Sequence, residues 1–112
     1  MTYPGPYYSP EKFGLEIIGK VDWSDGYYQY DYTTVWYDPT TREFLYGNDA
    51  GCSCPLPFED VQREHLNVGT RDEIHNFLKE RLKRVNREEL DRCRAEVADL
   101  TLKMRKRERK GK

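Results

Sequence analysis

The residues of this chain with the most evident chemical potential are its cysteines, its histidines and a lysine- and arginine-rich end. Cys52-Ser53-Cys54, followed by His65 and His75, offers four side chains of the kind that hold zinc in a tetrahedral site. The spacing is against it: one residue separates the cysteines, then ten and nine separate the later ligands, which matches no zinc pattern. The simpler reading is small, reduced cysteines packing a proline-rich loop. A disulfide-exchange role ordinarily takes two intervening residues. The same cysteines with His65 or His75 and Asp49 contain the residue types of a Cys–His–Asp nucleophile. No convergent motif supports that arrangement, so the expectation is a protein without catalytic residues, metal or cofactor.

The C-terminal run Lys103-Met-Arg-Lys-Arg-Glu-Arg-Lys-Gly-Lys112 holds seven bases and one acid. Arg105, Lys106, Arg107, Arg109 and Lys110 there are candidate phosphate ligands. Bases at a helix C-terminus also stabilise the helix dipole by about 0.3–1 kcal/mol each without any partner. The run belongs to a wider polarity. Residues 1–60 carry ten acids against three bases, net −7, and residues 61–112 carry sixteen bases against ten acids, net +6. Such asymmetry suits a basic arm for an acidic partner, or attraction between the two halves.

These groups must be positioned by a small chain. At 112 residues, 37% hydrophobic and 35% charged, one domain with a lean core is expected. No apolar run of about 18 residues spans a membrane. The start, Met1-Thr2-Tyr3-Pro4-Gly5-Pro6, lacks the pattern of a signal peptide. With only three cysteines, a reducing compartment, the cytoplasm, is expected.

Residues 1–12 read as an extended arm. Residues 13–69 read as an antiparallel sheet with a Cys/Pro loop. In the first strand, Leu15, Ile17, Val21 and Trp23 alternate with Glu16, Lys20 and Asp22. Asp25-Gly26 suits a two-residue hairpin turn. That turn pairs Trp23 with Tyr28, Val21 with Tyr30, Gly19 with Tyr32 and Leu15 with Trp36. The second strand, 27–38, is aromatic and β-branched. Asp38-Pro39-Thr40-Thr41 turns into a third strand, Arg42 to Asn48, with an odd-numbered loop placing Trp36 beside Phe44. One aromatic face results, formed by Trp23, Tyr28, Tyr30, Tyr32, Trp36, Phe44 and Tyr46. Tyr27 and Tyr37 alternate to the other face as candidate protein contacts. Base stacking on the aromatic face is disfavoured by the acidic character of this half.

Residues 58–69 read as one or two helical turns. Thr70-Arg71-Asp72-Glu73 is a capping box that opens a helix. No Gly or Pro interrupts 70–108, which reads as one long helix followed by a basic tail, 109–112. Its stripe Leu90, Cys93, Val97, Leu100, Met104 has the spacing of a short coiled-coil seam, which implies a dimer. The expected fold is α+β: a three-stranded antiparallel meander packed against a long C-terminal helix.

Phe13-Gly-Leu-Glu16, Val21-Asp22-Trp23-Ser24-Asp25-Gly26 and Asp49-Ala-Gly-Cys-Ser-Cys-Pro-Leu-Pro-Phe-Glu-Asp60 resemble a family of small uncharacterised proteins encoded by bacteriophages of Actinobacteria, over about residues 9–60. The resemblance carries no activity or site residues. It implies a phage product in a bacterial host cytoplasm. The expected function is a non-enzymatic interaction module that binds a host or phage protein and oligomerises through its helix. The alternatives are a nucleic-acid accessory protein using the basic tail, and a Cys-centred metal protein or enzyme.

Overall fold

Residues 16–52 are dense in β-branched and aromatic side chains, and they form three long antiparallel strands, joined by a fourth further along the chain. The structure is a computed structural model describing residues 5–7, 9–24, 29–52, 58 and 61–110. The strands are β1 (Glu16–Asp22), β2 (Gln29–Asp38), β3 (Glu43–Cys52) and β4 (Asn67–Gly69), in the order β1-β2-β3-β4. The meander therefore has four strands, not three. β3 runs on to Cys52 through residues expected to be loop, and β4 had no counterpart in the sequence reading. Short 3-10 turns lie at Pro10–Phe13 and Arg63–His65.

The register differs from the expected one. Val21 pairs with Thr33, Lys20 with Thr34 and Gly19 with Val35, three residues out of the step that a tight Asp25-Gly26 turn imposes. That turn lies outside the described residues. An odd shift turns β2 over, because side chains alternate faces. The second hairpin slips too: Trp36 pairs with Leu45 and Tyr37 with Phe44. Its connection is the four residues 39–42, with Arg42 at φ 61° and its N–H donating to the Asp38 carbonyl at 2.7 Å.

Both sheet faces are covered, so the expected single aromatic face does not exist. Val21, Val35, Tyr37 and Phe44 meet the helices on one face. Leu15, Trp36 and Leu45 meet Phe58 and Leu66 on the other, with Tyr32 and Tyr7 at the margin. Trp36 lies with its ring edge-on to Phe58 at 5.1 Å, and its indole N–H donates to the Pro6 carbonyl at 2.9 Å. Arg63 forms an ion pair with buried Asp38 and donates to the Phe13 carbonyl at 3.1 Å, tying three segments together.

The capping box forms as expected. Thr70 Oγ1 accepts from the Glu73 N–H at 3.2 Å, and the Glu73 carboxylate accepts from the Thr70 N–H at 2.9 Å. The helix it opens, α1 (Arg71–Leu82), then stops. After a turn at 83–86 the chain continues as α2 (Arg87–Lys110). The single long helix is corrected to two. A continuous helix of about 37 residues would reach roughly 55 Å and leave its second stripe in water. The break brings both stripes onto one sheet face instead. Cys93, Val97, Leu100 and Met104 are 0–4% exposed, and burying each of the last three side chains stabilises by roughly 1.5–3 kcal/mol. The stripe read as a coiled-coil seam is therefore core, and it offers no dimer interface. Gly19 makes this approach possible, since a Cβ there would lie 3.1 Å from Leu100 Cδ1. No helix among the described residues is long and apolar enough to cross a membrane.

Candidate functional site

Leu100 and Met104 fix the rotation of α2 on the sheet. They thereby set where its basic residues point. Lys103, Lys106, Arg107 and Lys110 line up along β1, the edge strand. Together with Glu16, Ile17 and Ile18 they line an open groove of about 270 Å³. The spacing 103, 106/107, 110 is that of one helix face.

Arg107 clamps the helix end to the strand. Its Nε and Nη2 donate to the two Glu16 carboxylate oxygens at 2.9 and 3.0 Å. Its guanidinium lies 4.4 Å from the centre of the Tyr37 ring. These hydrogen bonds hold the Glu16 carboxyl below its usual range, with the charges of Arg107 and Lys110 adding to the effect. Lys103 meets Asp99 at 3.0 Å in an exposed pair on its own helix, a weak contact. Among the described residues Arg105, Lys106, Arg109 and Lys110 form no salt bridge. Ile17 is 41% exposed, and with Ile18 it adds apolar surface to the groove beside the cationic side chains. Farther along β1 the edge is closed: Glu96 accepts from the Asp22 N–H, and Arg92 donates to the Asp22 and Ser24 carbonyls.

The expected site residues fare differently. Arg107 is committed to Glu16 and Tyr37. Arg105, Lys106, Arg109 and Lys110 sit on the last turns of α2, which takes in residues 109 and 110, read from the sequence as tail, and continues to Lys110. Tyr37, expected to face outward, is buried and packs edge-on to Phe44 at 5.0 Å, a consequence of the turned-over β2. Tyr27, Cys54 and the Cys52 side chain lie outside the described residues. His65 accepts from the Gln62 N–H at 3.0 Å, and His75 Nδ1 meets Thr101 Oγ1 at 3.0 Å between the helices, so each histidine serves its own local contact. Asp49 Oδ2 accepts from the Tyr30 hydroxyl at 2.9 Å and the Phe58 N–H at 2.7 Å, which ties the sheet to Phe58 rather than to a histidine. No group of three metal-ligating side chains occurs among the described residues.

A second polar cluster lies at the other end of α1. Arg81 donates to Asp31 at 2.9 Å and Asn48 at 3.1 Å, beneath which Thr33 links Asn48 to the Trp23 indole. Its side chains bond one another, so it anchors α1 to the sheet.

Sequence reasoning missed Glu16, Ile17, Ile18 and Lys103 as site residues. Their signal exists only once α2 is laid against β1.

Residues 5–110 match the model of a family described as "Domain of unknown function (DUF7574)", and the chain belongs to that family. The match includes both helices, so they are part of the domain and not an appended arm. No curated protein and no solved structure matches the chain.

Proposed function

We propose that this DUF7574 domain is a non-enzymatic interaction module whose groove between α2 and β1 receives an acidic segment of a partner protein. The observation that carries the reading is the groove's composition: Lys103, Lys106 and Lys110 line it together with Ile17 and Ile18, beside a helix end fixed by the Arg107–Glu16 clamp. Cationic side chains beside an apolar edge suit acidic side chains next to an aliphatic one. A nucleic-acid backbone has no aliphatic side chain to offer the two isoleucines. The ring nearest the groove, Tyr37, is buried under Arg107 and cannot stack a base. The resemblance around Cys52 supports a phage context, in which the partner is a host or phage protein met in the bacterial cytoplasm.

Selection from a random peptide library on the wild type, counter-selected on Lys106→Glu/Lys110→Glu, tests this. Enrichment of Asp/Glu around an aliphatic residue is expected; peptides without acidic bias contradict the reading. The nucleic-acid alternative draws on the exposed Arg105, Lys106, Arg109 and Lys110. It predicts single-strand or duplex binding that falls steeply between low and moderate salt and disappears in the same variant.

A further inference from the structure

One row of side chains crosses the whole sheet: Ile17, Trp36, Leu45 and Val68 are successive partners across β1, β2, β3 and β4. Partners directly across strands share a face. The middle of the row is buried, Trp36 at 0% and Leu45 at 3%, while its ends are open, Ile17 at 41% and Val68 at 57%. These two ends, with Leu102, are the exposed large hydrophobic residues among those described. Each end carries its own charge. Ile17 lies in the lysine-lined groove. Val68 borders a cleft of about 340 Å³ whose charged lining is Glu43, Glu73 and Glu108 against Arg42, acidic on balance, with Glu108 paired to Arg71 at 3.3 Å.

We infer that the groove's acidic ligand is the β4 edge of a second copy of this chain, docked side by side with β1. This rests on the reading of the groove given above. The strands alternate direction, so β4 of one copy laid beside β1 of the next is antiparallel, and the apolar row continues from Val68 to Ile17 across the junction. The opposite charges flank it, and the near-neutral net charge of −1 does not oppose association. The contact is short. β4 has three residues, β1 carries a bulge between Ile17 and Gly19, and the Asp22 end is closed by Arg92 and Glu96. Charge supplies much of its strength, so it weakens with salt. Because the two surfaces differ, the assembly is head to tail, an open chain or a ring.

Sedimentation velocity on the full chain tests this at low and high salt. The wild type is expected to show a mass above the monomer that rises with concentration and falls to the monomer in high salt. Lys106→Glu/Lys110→Glu and Glu43→Lys/Val68→Lys each change exposed residues and are expected to be monomeric, with folding checked by circular dichroism. Mixed, they are expected to form a 1:1 pair, since each keeps one intact surface. A monomeric wild type, variants that assemble as the wild type does, or a mixture that stays monomeric overturns the inference. If the wild type is monomeric yet binds acidic peptides, the second-copy assignment falls and the groove reading stands; if it binds none, both fall.

Discussion

The two faces of the sheet are closed by different means. On one, two helices lay aliphatic stripes over Val21, Val35, Tyr37 and Phe44, and each helical residue is held by its neighbours' backbone as well as by the sheet. On the other, segments without long helices cover Trp36 and Leu45, held by a few specific anchors: the Trp36–Pro6 hydrogen bond, the Phe58 ring and the Asp38–Arg63 pair. A regular layer spreads its stability over many contacts, whereas an irregular one concentrates it at a few. The groove is built from the first layer, through α2, and from the edge of the sheet that both layers share.

Truncation on each face sharpens the contrast. Leu100→Ala opens a cavity between α2 and Gly19 where neither element can collapse, and should cost about 3–4 kcal/mol in chemical denaturation. Phe58→Ala should cost less, about 3 kcal/mol, because Phe58 belongs to no helix or strand that would hold the space open. Equal costs, or the reverse order, would break the comparison.

Arg63→Ala should cost about 1–3 kcal/mol near neutral pH, since it leaves the buried Asp38 carboxylate without its cation. Arg63 holds the Asp38 carboxyl below its ordinary range, helped by the Thr40 and Thr41 N–H groups. A carboxylate with a depressed folded-state pKa contributes stability above its unfolded value and loses it as pH falls through the folded one. The gap between wild type and Arg63→Ala should therefore narrow as pH drops below about 4. A gap independent of pH would show that Arg63 acts by packing alone. The smallest expected effect is at Thr34, whose buried hydroxyl has no partner among the described residues. Thr34→Val should change stability by no more than about 1 kcal/mol, in the stabilising direction.

The same contrast explains what the sequence made legible. Thr70 and Glu73 announce a helix start by local chemistry alone, and the start is where they indicate. Register was not legible, because β2 is apolar on both sides: Tyr30, Tyr32 and Trp36 alternate with Val35 and Tyr37, and either set suits a core. The break at 83–86 has no Gly or Pro to mark it. The stripe from Cys93 to Met104 looks the same whether it meets another helix or a sheet. Of the groove, the basic residues were visible. The clamp joins Arg107 to Glu16 across 91 positions of sequence, and only the packing of α2 brings them together.

Isothermal titration of a peptide with an aliphatic residue flanked by acids, against the wild type and Lys106→Glu/Lys110→Glu, reaches the central claim most directly. The account predicts saturable binding to the wild type, at least a tenfold weaker affinity in the variant, and a melting temperature lowered only slightly by the two charges reversed at the helix C-terminus. Equal affinity for both proteins would contradict it.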